Sequence, residues 1–157
     1  MVVPDRLVPP GERLRRAREI AGMTQTALAK ASGVSQPNIA ALENGTRPLS
    51  GAMLRRLLLA LDARPSVILG AHRNEVVAVA ARHGATNLRV FGSVARGEDS
   101  IDSDVDLLAT FRPGTSLYDV AELVDELEAL LGNPVDVVSD RGLQEQHADI
   151  AREAVPL

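Results

Sequence analysis

FGSVARGEDSIDSDVDLL, residues 91–108, is the stretch on which the reading of this chain turns. It is entered from NLRVF (87–91) and left through VDLLATF (105–111), two apolar-rich runs short enough to be strands. In a strand Asp104 and Asp106 project from one face, roughly 7 Å apart along the chain, while Val105 and Leu107 point to the other. Two carboxylates on one face attract a hard divalent cation, and Mg²⁺ commonly takes one or two carboxylates together with substrate phosphates. Gly92-Ser93 falls where the first strand turns into a helix. A glycine there lets a phosphate approach the backbone, and the N–H groups and the Ser93 hydroxyl can donate to it. Arg96 is placed to neutralise further phosphate charge.

An acidic string alone also reads as a solvated loop. A calcium loop begun at Asp102 would put Leu107 at its sixth position and Pro113 at its twelfth, where glycine and glutamate are needed, so that reading fails. A Walker-type phosphate loop fails as well, because no GxxxxGK[ST] occurs and Lys30 is the sole lysine.

Working outward, VDVV (135–138) reads as a third strand and carries Asp136, a third acid on what could be a neighbouring strand. Leu117, Val120, Val124, Leu127 and Leu131 make an amphipathic helix between the second and third strands. Asn74–His83 reads as a helix before the first strand and Leu143–Ala154 as a final helix. Strands interleaved with helices predict a small α/β or α+β unit. Upstream, DARPSVILGAHR (62–73) loses periodicity around Pro65 and Gly70 and reads as a linker. This divides the chain into residues 1–65 and 66–157.

The first part shows no strand alternation. Glu12–Ala21 predicts a helix ended by Gly22, and Thr24 caps a second helix. Ser32-Gly33-Val34 makes a turn. Ser35 then caps a third helix that admits Pro37 in its first turn, and a fourth begins after Ser50 with Leu54, Leu57, Leu58 and Leu61 on one face. Two short helices joined by a glycine-containing turn inside a helical cluster are the ingredients of a helix-turn-helix.

Charge follows the same division. Residues 1–70 carry ten basic and five acidic side chains, a balance of +5; residues 71–157 carry seven and sixteen, a balance of −9. The basic part suits phosphate backbones. Composition is that of an ordinary globular chain, 45% hydrophobic and 24% charged, which excludes disorder. With no cysteine there is neither a disulfide framework nor a thiol nucleophile, and His72, His83 and His147 are too scattered for a zinc site. Neither a signal peptide nor an 18-residue apolar run is found, so a soluble cytoplasmic protein with no membrane partner is expected. Aromatic residues make up 2%, too few for base-stacking platforms.

Two resemblances sharpen this. LRRAREIAGMTQTALAKASGVSQPNIAALENGTRPLS resembles the Xre/Cro-type repressor domain over about residues 11–62. It implies that the third helix enters a major groove, with Gln36, Asn38 and Ala40 facing base edges, while Gln25, Ser35 and Arg47 meet phosphate or sugar. Ala41 stands where that family often has a basic or polar side chain, which lowers the affinity expected of one module and points to a homodimer on two half-sites of operator double-stranded DNA.

Ten residues separate Gly92-Ser93 from Asp104-Val105-Asp106, and this GS-x10-DxD spacing resembles the minimal nucleotidyltransferases of the DNA polymerase β superfamily, over about residues 73–157. With these resemblances the whole is expected to be α+β, an all-α helix-turn-helix bundle followed by a small α/β minimal nucleotidyltransferase domain with a mixed sheet. The resemblance implies that Asp104, Asp106 and Asp136 are catalytic and ligate Mg²⁺, and that Gly92, Ser93 and Arg96 bind ATP. It further implies an antitoxin that transfers AMP to a tyrosine of a HEPN-domain toxin encoded nearby and represses its own operon. The alternative is a transcription regulator whose transferase half is an inactive nucleotide sensor or toxin-binding module.

Overall fold

The computed structural model describes residues 8–143 and 147–157. The first half is a cluster of helices: α1 (Pro10–Ile20), α2 (Gln25–Ser32), α3 (Gln36–Glu43) and α4 (Gly51–Ala60). Their apolar positions Leu14, Leu28, Ile39 and Leu57 are fully buried. Thr24 caps α2 as expected, its hydroxyl accepting the Ala27 N–H at 3.0 Å, and Ser50 does the same for α4. Ser35 occupies the N-cap of α3 with extended backbone, but its side chain makes no cap hydrogen bond. Pro37, in that first turn, has no N–H to offer it.

The segment 62–73, expected to be a linker, is folded. Residues Pro65–Ala71 form α5, with Pro65, Ile68 and Leu69 buried. It packs on α1 in the first half and on α6, α7 and α8 in the second. A seven-residue helix is too short to display a 3.6-residue stripe, and its apolar run Val67-Ile68-Leu69 therefore looks aperiodic.

After α5 come α6 (Arg73–Arg82), β1 (Ala85–Phe91), α7 (Gly92–Arg96), β2 (Val105–Phe111), α8 (Leu117–Leu131), β3 (Val135–Ser139), a 3₁₀ turn at Asp140–Gly142, α9 (Ala148–Glu153) and β4 (Val155–Pro156). The sheet order is β3-β2-β1-β4. It is mixed: β1 runs antiparallel to β2 and to β4, and β2 parallel to β3. The final helix is shorter than expected. Leu143 is extended (φ −70°, ψ 115°), residues 144–146 of the expected span lie outside the described residues, and the helix occupies Ala148–Glu153.

Strand alternation gives the sheet two different faces. Leu88, Val90, Val105, Leu107, Ala109 and Val135 share one core with Val76, Val79 and Ala80 of α6 and Leu123, Leu127 and Leu131 of α8. That core is continuous with the leucines of the first half. Polar contacts reinforce the junction: Arg16 Nη1 donates to the Ala129 carbonyl at 2.6 Å, and the Arg13 stem lies over Gly132 at the end of α8. Among the described residues no helix is long and apolar enough to cross a membrane.

Candidate active site

The sheet face turned away from α6 and α8 carries the acids. In the parallel β2–β3 pairing, Asp106 and Asp136 are register partners, so their side chains stand side by side on that face. Asp104 precedes β2 by one residue. The Asp106 carboxyl is half-buried and sits above the usual carboxylate range, first because burial penalises its charge, then because Asp136 and Asp104 repel it; Arg96 opposes the shift and Glu153 adds to it. Asp104 and Asp136 are exposed.

Gly92 opens α7 directly after β1 and has φ +70°, a conformation that disfavours any side chain. A Cβ placed there would overlap Asp106 Oδ2. The glycine therefore does two things: it turns the chain from strand into helix, and it lets the backbone close onto an acid. Ser93 follows in the first turn of α7 and is partly exposed. The ten-residue spacer thus closes in space, bringing the Gly92-Ser93 turn against Asp106.

Arg96, expected at the nucleotide, is engaged elsewhere: its Nε pairs with Glu98 Oε2 at 2.7 Å and its Nη1 contacts Glu153 of α9. These contacts hold its pKa above the usual arginine value, through the hydrogen bonds to Glu98 and Glu153 before their charges. Sequence reading did not foresee Glu153, because a single acid in a short terminal helix carries no signal. It also missed the pair Arg89–Asp140, which meets at 2.8 Å, with Thr110 on the same Asp140 oxygen.

Among the described residues no three His, Asp or Glu side chains form a ready-made metal cage. The donor set nonetheless suits Mg²⁺. Mutually repelling carboxylates beside a bare backbone turn leave coordination positions for water and phosphate oxygens, which is how Mg²⁺ is usually held.

In the first half Gln25, Ser35, Gln36 and Asn38 lie around the N-termini of α2 and α3, and Arg47, in the loop between α3 and α4, reaches Asn38. Gln36 Nε2 donates to Gln25 Oε1 at 2.9 Å, and Gln25 Nε2 donates to Glu43 Oε2 at 2.9 Å. Glu43 is only 4% exposed and also accepts Arg18 Nε at 2.7 Å and Nη2 at 2.9 Å. Burial alone would raise the Glu43 carboxyl, but the hydrogen bonds of Arg18 and Gln25 and the charges of Arg18 and Arg15 outweigh it and hold it below the usual range. Arg47 Nη1 donates to Asn38 Oδ1 at 2.7 Å, and the exposed Ser35 lies beside Gln36.

Comparisons with known proteins match two families to the chain. A helix-turn-helix family matches residues 14–68, and a nucleotidyltransferase-domain family matches residues 76–155. A protein adenylyltransferase MntA of Thermococcus cleftensis is 44% identical over 89 residues, 56% of this chain and 87% of the relative. A candidate protein adenylyltransferase of Methanocaldococcus jannaschii is 37% identical over 84 residues, 53% of this chain and 90% of the relative. A solved structure described as a candidate minimal nucleotidyltransferase is 52% identical, with a TM-score of 0.54, covering 59% of this chain and 95% of that one.

Proposed function

The chain belongs to the nucleotidyltransferase-domain family, with a helix-turn-helix domain ahead of it, and on that footing we propose a protein adenylyltransferase that also binds its own operator. The substrate is ATP, and the acceptor is a tyrosine hydroxyl of a HEPN-type toxin encoded nearby, so the chain acts as an antitoxin. The observation that carries this reading is the register pairing of Asp106 with Asp136 beside the bare turn at Gly92.

Asp104, Asp106 and Asp136 would hold Mg²⁺, which when bound neutralises charge developing on the phosphates. The Gly92-Ser93 turn holds the triphosphate through backbone N–H groups and the Ser93 hydroxyl. The acceptor oxygen bonds to the α-phosphorus, the bond from that phosphorus to the bridging oxygen breaks, and pyrophosphate leaves. Asp136, exposed at the sheet edge, takes the hydroxyl proton. Arg96 reaches the phosphates by exchanging Glu98 and Glu153 for them, one set of charged partners for another. In the other half, Gln36 and Asn38 read bases while Gln25, Ser35 and Arg47 meet the backbone, as a homodimer on two half-sites.

Support comes from the acid arrangement and from relatives named as protein adenylyltransferases. The test is incubation with α-labelled ATP, Mg²⁺ and the product of the adjacent gene. Label on that product, lost in the Asp104→Asn, Asp106→Asn double variant, is expected. Nucleotide binding without transfer would instead assign the second half a sensing role.

A further inference from the structure

The loop from Gly97 to Ser103, between the Gly92-Ser93 turn and Asp104, is held by α5 at the junction and by α4 of the first half. Asp99 is its centre. This residue is only 6% exposed, and its Oδ2 accepts the backbone N–H of Ser66 at 2.8 Å. Ser66 lies in the first turn of α5, whose N-cap residue, Arg64, supplies no side-chain cap of its own. Asp99 therefore caps α5 from 33 residues away, satisfying an N–H that the helix cannot satisfy internally. Its other oxygen, Oδ1, is buried without a hydrogen-bond partner among the described residues.

Neighbouring contacts fix the loop on either side. Ile101 is 4% exposed and belongs to the common core, Asp102 Oδ2 accepts Arg55 Nε of α4 at 3.1 Å, and the Glu98 N–H donates to the Ser93 carbonyl at 2.9 Å. Ser66 falls within the helix-turn-helix match, while Asp99 falls within the nucleotidyltransferase match. Two relatives are matched over 90% and 87% of their own lengths by segments of 84 and 89 residues, about half of this chain.

We propose that Asp99 is a positioning residue: by capping α5 it fixes the loop that carries Asp104, and so makes Mg²⁺–ATP binding in this chain depend on the helical half. A buried carboxylate tied to a backbone amide anchors a loop firmly, because releasing it would leave both groups buried and unpaired. The exposed Arg55–Asp102 pair contributes far less. The proposal rests on the nucleotidyltransferase reading for its ligand, though not for the contact itself.

The test uses the full chain as wild type, Asp99→Ala and Asp99→Asn, the last keeping an acceptor for the Ser66 N–H. Hydrogen exchange of residues 97–105 and of Ser66 is measured, together with the Mg²⁺ concentration that half-saturates ATP binding. In Asp99→Ala, exchange over 97–105 is expected to speed up about tenfold and the half-saturating Mg²⁺ concentration to rise about tenfold, with α1–α3 exchange unchanged; Asp99→Asn should stay within about threefold of wild type on both. Unchanged exchange over 97–105, or exchange accelerated evenly through the chain, overturns the proposal. If Asp99→Ala does not fold, Asp99→Leu, which fills the buried space without offering an acceptor, is read by the same measure: acceleration confined to Ser66 and 97–105 supports the proposal, and wild-type exchange there overturns it. Wild type that binds Mg²⁺–ATP but transfers no AMP refutes the adenylyltransferase reading and leaves this comparison intact. If wild type binds no Mg²⁺–ATP, the nucleotidyltransferase reading fails and the proposal with it; if wild type binds and Asp99→Ala speeds exchange locally but leaves the half-saturating Mg²⁺ concentration unchanged, the proposal alone is overturned.

Discussion

Residue 92 shows how one missing side chain shapes the site. Gly92→Ala would meet both the positive φ, a strain of about 1–3 kcal/mol, and the Asp106 carboxylate. Mg²⁺–ATP affinity measured by calorimetry is expected to fall by about 100-fold, the equivalent of about 2.7 kcal/mol, while far-ultraviolet circular dichroism stays as in wild type. At Asp106 the folded-state pKa is raised, so folding is favoured below the unfolded value and that advantage is lost as pH rises through the folded one. Asp106→Asn should accordingly melt higher at pH 7, by about 1–2 °C, with the gain closing as pH falls into the carboxylate range. Added Mg²⁺ should then stabilise wild type and leave the variant unmoved. Glu43 has the opposite sign: its carboxyl is depressed, so its contribution is present at neutral pH and disappears as pH falls through the lowered pKa. Removing it in Glu43→Ala strands Arg18, whose side chain is 13% exposed, and should cost about 3 kcal/mol in urea unfolding at pH 7; Glu43→Gln should flatten the acid limb of the stability curve.

Among the elements, α5 governs how the halves respond to damage. Ile68 is 4% exposed in the common core, so Ile68→Ala is expected to cost about 2–4 kcal/mol and to shift both halves together, visible as coincident transitions by circular dichroism and by ATP-dependent thermal protection. The elements that could be read in sequence share a physical reason. The alternation Val105, Leu107, Ala109 and the stripe Leu123, Leu127, Leu131 each repeat long enough to declare one buried face. The strand β2 was legible to the residue and α8 nearly so. By contrast, α5 is too short for its period to show, and β4 is two residues whose strand character comes entirely from pairing with β1. The site divides similarly. Spacing and residue type point to Gly92, Ser93, Asp104 and Asp106, because those positions are bound by local geometry. Asp99 lies in GEDSIDSD, where every acid looks equally solvated, and only the tertiary structure separates the buried one from its neighbours.

Across the whole molecule the formal charge of −4 conceals a basic and an acidic half, and these share one core. Duplex binding by the basic half should weaken steeply with salt, a log–log slope of at least about −3 in fluorescence anisotropy, as counterions are released from DNA. Rigid union has a further effect, on heredity. A genetic exchange that cut the chain within residues 67–73 and rejoined it to a foreign repressor would part Asp99 from Ser66 and Arg13 from Gly132. A crossover that preserves reading frame in this segment is therefore expected to yield a protein that melts lower than either parent.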